Sequence, residues 1–295
     1  MAASPLNTKS HFHARSNSLP SGPHPLILQC NEHLDRLRAS NETSSSSSFL
    51  SHKLEGLQDL HECVEKLVQL PLTQEALLHE PKESWVEELL DGSLRLLDVC
   101  TSAKDSLLHT KECMRELQSI MRRRKGGEMG FTAEVNKFLT SRKVVRKAIF
   151  KTLGNLKAIS KRGNFSSNIK DQQTMALVSL LKDVEVVTLS IFESLLKFIS
   201  GSTQAKPCNW SLVSKLIHTK RTGCAQAADE CEFSQMDAAL QSSVLHMTSK
   251  SDNINNLQNH LEKLESCIQD HEEGLEFLFR RLIKIRVAFL NILNH

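Results

Sequence analysis

Arg15, Ser18 and Pro20 form the most specific chemical signal in the chain. They stand in the stretch HARSNSLPSG, residues 13–22, with an arginine three positions before a serine and a proline two positions after it. That spacing is the form that basophilic kinases modify and that 14-3-3-type proteins then grip. A phosphate on Ser18 would add nearly two negative charges and three strong acceptor oxygens, which an arginine cluster on a reader protein binds. Pro20 would help the peptide leave the groove in an extended turn. Residues 1–25 hold four of the seven prolines among Ser, His and Asn, without apolar periodicity. They are therefore expected to form a disordered tail accessible to kinase and reader alike. An inert or targeting tail is the competing reading.

A second chemical feature is the run Arg122, Arg123, Arg124 and Lys125, followed by Gly126-Gly127. Structurally, cations suit the negative end of a helix dipole, and glycine suits the left-handed cap beyond it. Functionally, the run is a candidate contact for anionic lipid headgroups or an acidic partner. It opens a wider asymmetry: residues 122–162 carry thirteen Lys or Arg against two Glu, whereas residues 225–276 carry eleven Asp or Glu against two Lys. Neutralisation between basic and acidic helices is the plainer reading, since an exposed pair contributes only about 0–1 kcal/mol. Nucleic acid is not expected as a partner, because Phe131, Phe138 and Phe150 are the segment's aromatics and no reader motif accompanies them.

Catalytic and metal-binding patterns are not written in the sequence. The eight cysteines, at 30, 63, 100, 113, 208, 224, 231 and 267, include no C-x-x-C pair. The thirteen histidines are scattered, and His11 with His13 in a flexible tail would make a poor metal site. Neither E-x-x-H nor H-E-x-x-H occurs, nor any phosphate-binding glycine loop or G-x-S-x-G elbow. No catalytic residue, metal ligand or cofactor is therefore assigned, and a non-enzymatic protein is expected.

The elements that would carry these residues are helical. The chain of 295 residues has no Tyr, two Trp and few Gly or Pro, a mixture that favours helices over sheets. Ile27, Cys30, Leu34 and Leu37 mark a short first helix, and the Ser-rich stretch near 40–48 reads as a linker. A second helix is expected from about Phe49 to Leu70 with Pro71 as its stop, then a short one capped by Thr73. Beyond Pro81, positions 89, 93, 96, 100, 103, 107, 110, 114, 117 and 121 form a heptad-like seam suited to antiparallel packing. Val135 to Leu156 mark a fourth helix, and Gln172 to Ile199 a fifth that Gly201 closes.

A shorter helix is expected around Trp210 to Ile217, another over Phe233 to Met247, and a last one from Leu257 after a polar interruption at 249–256. In that last helix Leu275, Leu278, Phe279, Leu282, Ile285, Phe289 and Leu293 make a stripe, with Arg280, Arg281 and Lys284 on the far face. Completing a core is the plain reading, and lying on a membrane surface the alternative. Arg286 intrudes on the stripe and would need a carboxylate or carbonyls if the helix packs. The most apolar stretch, 174–199, is interrupted by five charges, so no membrane span is expected. A cytoplasmic setting is the default reading. The acid-free, Ser-rich start up to residue 31 shares its composition with organellar transit peptides, although it holds a single Arg.

Four separated blocks carry a resemblance: FHARSNSLPSGPHPL at 12–26, DGSLRLLDVC at 91–100, KECMRELQSIMRRRKGG at 111–127 and GLEFLFRRLIKIRVAFLNILNH at 274–295. Together they resemble a plant-specific family of Arabidopsis-type proteins of unknown function, grouped with BYPASS-type proteins. The resemblance implies a helical protein without an established enzymatic activity, related to proteins of root and shoot development and long-distance signalling; it brings no active site, and it keeps a plastid or a peripheral membrane site as alternatives to the cytoplasm. The expected architecture is thus all-α, a bundle of long antiparallel helices over residues 26–295 behind a disordered N-terminal tail.

Overall fold

The computed structural model describes residues 24–39, 46–78, 84–123, 129–160, 172–201, 231–245 and 251–293. Among these the chain forms eight helices and no strand: α1 Pro25–Ala39, α2 Ser47–Val68, α3 Pro71–Leu78, α4 Ser84–Arg123, α5 Met129–Ser160, α6 Gln172–Ser200, α7 Glu232–Leu245 and α8 Ser251–Leu293. The expected helix around Trp210–Ile217, the tail at 1–23 and the first part of the serine linker lie outside the described residues.

The apolar seams explain the layout. Leu96, Cys100, Ala103, Leu107, Met114 and Leu117 of α4 are buried, as are Leu275, Leu278, Leu282, Ile285 and Phe289 of α8. Polar pairs at the seam edges set the direction: Lys104 Nζ donates to Glu276 at 2.5 Å, Lys111 to Glu272, and Gln118 Nε2 to Glu265 at 3.0 Å, so α4 and α8 run antiparallel. α5 is likewise antiparallel to α4, with Lys137 on Glu116 at 2.6 Å and Thr152 beside Ser102 at 2.9 Å. α2, by contrast, runs parallel to α8, because Ser47 meets Cys267, Gln58 meets the Gly274 carbonyl, and Arg281 meets Glu62 and Glu65.

Several boundaries differ from expectation for local reasons. Ser46 has an extended backbone and its hydroxyl accepts from the Phe49 amide, so the end of the serine tract is the N-cap and first turn of α2 rather than linker. Pro71 does not merely stop a helix. It occupies the first position of α3, where its missing N–H costs nothing, and Thr73 is buried instead of capping. The polar stretch at 249–256 is helical from Ser251, with Asn255 and Asn256 turned to solvent before the buried face begins at Leu257. Gly201 closes α6 as expected, at φ 70°, with its amide on the Phe198 carbonyl at 2.9 Å.

The C-terminal helix packs. Arg286 finds its acceptors in the Leu90 carbonyl at 2.6 Å and the Ser93 hydroxyl at 2.8 Å. Arg281 does not lie on the far face; it bonds Glu65 at 2.9 Å and Glu62 at 2.6 Å and ties α8 to α2. Where α4 meets α6, Glu185 holds Arg95 at 2.7 Å directly over Gly92. A methyl group at position 92 would overlap that carboxylate.

Candidate functional site

Arg15, Ser18 and Pro20 lie outside the described residues, as do Arg124 and Lys125. Arg122 and Arg123 end α4 exposed, and Arg123 Nη2 bonds the Ser119 hydroxyl one turn back at 2.8 Å. The structure therefore sets two of the four basic residues at a helix C-terminus, where the dipole favours cations.

The larger cationic feature is α5. From Val135 to Ser160 the helix carries seven Lys or Arg and no acid. Three of the seven are paired: Lys137 with Glu116 and Glu134, and Arg142 and Arg146 with Asp237 of α7. Lys143, Lys147 and Lys151, four residues apart, stack along one exposed face, and none has an ion-pair partner among the described residues. Val144 and Phe150 on this outer side are 60% and 55% exposed. The expected mutual neutralisation thus accounts for the inward basic residues of α5 and leaves the outer row to solvent.

Beneath that face sits a buried ionic centre. Arg142 is almost wholly enclosed; its Nε donates to Asp237 Oδ1 at 3.3 Å and its Nη2 to the Ile199 carbonyl at 2.8 Å. Arg146 Nε donates to the Ser200 carbonyl at 2.8 Å, and its Nη2 reaches Asp237. Phe233 stacks under the Arg142 guanidinium, 4.9 Å from the ring centre. Burial pulls the Arg142 basicity down while the Asp237 charge opposes it. Two cations thus cap the last carbonyls of α6 and one carboxylate holds them, which is fastening rather than catalysis. Arg142 and Arg146 share a helix face at a spacing of four, the signal that could have found them.

A groove of about 590 Å³ runs between the end of α2, α3 and α8, lined by Leu78, Ile283 and Val287 among others, and its charged members Glu65 and Lys284 face each other at 3.4 Å. Among the described residues no three His, Cys, Asp or Glu converge as metal ligands, and no helix is long and apolar enough to cross a membrane.

Among the described residues the chain is an all-helical bundle in which Arg95, Lys104, Lys111, Arg142 and Arg281 tie one helix to another, while Lys143, Lys147 and Lys151 face solvent. Residues 53–292 match the family model described as Protein BPS1, and the chain belongs to that BYPASS-related plant family. The family is regulatory and is not a known group of enzymes. The match begins inside α2, so α1 and the tail precede it. No curated protein and no solved structure matches the chain.

Proposed function

We propose that this chain is a non-enzymatic interaction protein acting in root and shoot development or signalling, whose α5 face docks an acidic protein partner. The observation that supports this reading is the row Lys143, Lys147 and Lys151, solvent-facing and without acid partners among the described residues. A row with no internal counter-charge steers acidic surfaces toward it and stays available once they arrive. The test is co-purification from plant tissue with native chain and with Lys147→Gln/Lys151→Gln. Partners of acidic character should be lost from the variant while its helical circular dichroism is unchanged, and an identical set of partners would remove the reading.

The tail supplies the regulatory handle: phosphorylated Ser18, set between Arg15 and Pro20, recruits a 14-3-3-type reader. A peptide spanning His13 to Gly22 should bind such a reader about tenfold or more tightly once phosphorylated, through new charge-assisted hydrogen bonds. Equal and negligible binding of both forms in a calorimeter would sink this part.

A second reading, peripheral binding to an anionic membrane, draws on Val144 and Phe150, which put apolar surface beside the lysines as interfacial helices do. Two lysines removed at an anionic surface cost about 2 kcal/mol, roughly thirtyfold in partitioning. Vesicles with and without phosphatidylserine decide it: salt-sensitive retention that falls in the double variant favours the membrane, and no retention on either returns the face to a protein partner.

A further inference from the structure

Cys30 of α1 and Cys63 of α2 point at each other with their sulfurs 2.8 Å apart, and both are buried. Among the described residues this is the one thiol pair in contact: Cys100 bonds the Leu275 carbonyl, Cys113 the Ser141 hydroxyl, Cys231 the Phe198 carbonyl, and Cys267 lies beside Ser47 and His271. Two apolar thiols need no such approach for packing, because cysteine in a core behaves as a small hydrophobe. A disulfide has its sulfurs roughly 2.05 Å apart, so closing the gap takes less than an ångström of sulfur movement.

We propose that Cys30 and Cys63 are a redox modification site, forming a reversible disulfide that fastens α1 to α2 when the protein meets a hydroperoxide. The bond would join the helix that follows the phospho-motif tail to the body of the bundle. It is independent of the partner that α5 meets. The two thiols are not equivalent. Cys30 donates its S–H to Cys63, which holds the Cys63 thiol below its ordinary value, with Lys66 adding to the effect against burial. The same bond and burial push Cys30 up.

Cys63 is therefore the attacking sulfur and Cys30 the resolving one. The Cys63 thiol releases its proton and the thiolate attacks one oxygen of hydrogen peroxide; the S–O bond forms as the O–O bond breaks, hydroxide leaves and takes up that proton as water, and Cys63 becomes a sulfenic acid. Cys30 sulfur then attacks the sulfenic sulfur; the S–O bond breaks, the S–S bond forms, and the departing hydroxide takes the Cys30 proton as water. Two thiols lose two electrons and hydrogen peroxide becomes two waters. Access would come from α1 itself, a helix of 15 residues packed on α2 and α6, whose local opening exposes both sulfurs without global unfolding.

The test uses the full-length reduced chain, titrated with hydrogen peroxide, blocked with N-ethylmaleimide and digested without reductant for peptide mass spectrometry. A Cys30–Cys63 linked peptide, two hydrogens lighter than the sum of its parts, should accumulate before the other thiols are modified and vanish with dithiothreitol. Amide exchange across Leu26 to Leu37 should slow by roughly tenfold or more, as a closed loop restrains α1. In Cys30→Ser, Cys63 should persist as a sulfenic acid that dimedone captures. The proposal is overturned if Cys30 and Cys63 remain alkylated at peroxide doses that oxidise other cysteines, or if the linkages found join different residues. The native-chain map decides the matter by itself, so a poorly folding serine variant leaves the test intact.

Discussion

Replacing Asp237 by alanine is expected to destabilise the bundle by about 3–5 kcal/mol, the cost of leaving a buried cation without its counter-charge. Arg142 is fully enclosed between α5, α6 and α7 and cannot shed its charge by deprotonation. Its Nη1 already has no hydrogen-bond partner among the described residues, so Asp237 is the acid that compensates it. Urea unfolding followed by far-ultraviolet circular dichroism measures the loss; a change below about 1 kcal/mol would contradict the assignment. Arg146, which is partly exposed, should matter much less when truncated. The paired replacement Arg142→Met/Asp237→Leu should recover part of the stability, because an apolar pair carries no desolvation penalty, while Arg146 loses Asp237 and the Ile199 carbonyl loses its donor.

The helices were readable because each buries one stripe. The spacing of Leu96, Cys100, Ala103, Leu107, Met114 and Leu117 names the inward face of α4 without reference to any partner, and all six are buried. Periodicity says nothing about which stripe meets which. That α2 lies parallel to α8 depends on Glu62 and Glu65 meeting Arg281 across more than two hundred residues, and no local pattern encodes that. Arg286 was different. An arginine inside an apolar stripe announces its need for acceptors, though not that Leu90 and Ser93 would supply them.

The candidate site was half legible for a related reason. A contiguous run such as Arg122 to Lys125 draws the eye, yet its described members Arg122 and Arg123, as consecutive helical residues, point about 100° apart rather than along one face. Lys143, Lys147 and Lys151 are inconspicuous in sequence, but their spacing of four gathers them on one face. The thiol pair was illegible because its members stand on separate helices 33 residues apart, and no C-x-x-C spacing marks a contact made by packing.

Lowering the pH from 6.5 to about 4 should destabilise the protein, with His61 as the main cause. Its Nε2 faces the Thr188 hydroxyl at 2.9 Å, and that hydroxyl already donates to the Val184 carbonyl, so Nε2 carries the proton and donates. Nδ1 is buried with no partner among the described residues. A second proton would therefore have no acceptor, and burial, with the Arg281 charge nearby, lowers the His61 pKa to about 4. The unfolded chain binds that proton near pH 6.5 and the folded one near pH 4, so the contribution is complete above pH 6.5 and is lost as pH falls through this window. The loss is about 1.4 kcal/mol per pH unit, or roughly 3 kcal/mol across it. His271, buried with its Nε2 unpartnered among the described residues and its pKa likewise lowered by burial, adds in the same direction. Glu62, Glu116 and Glu276, whose carboxyls the hydrogen bonds from Lys66, Lys137 and Lys104 hold below the ordinary value, add to the loss as pH falls through that ordinary value of 4.5, at the acid end of the window. Urea unfolding at about pH 7, 5.5 and 4.5 should show this slope in the native chain and a clearly shallower one in His61→Gln. Equal slopes would mean that the proton taken up on unfolding belongs to another group.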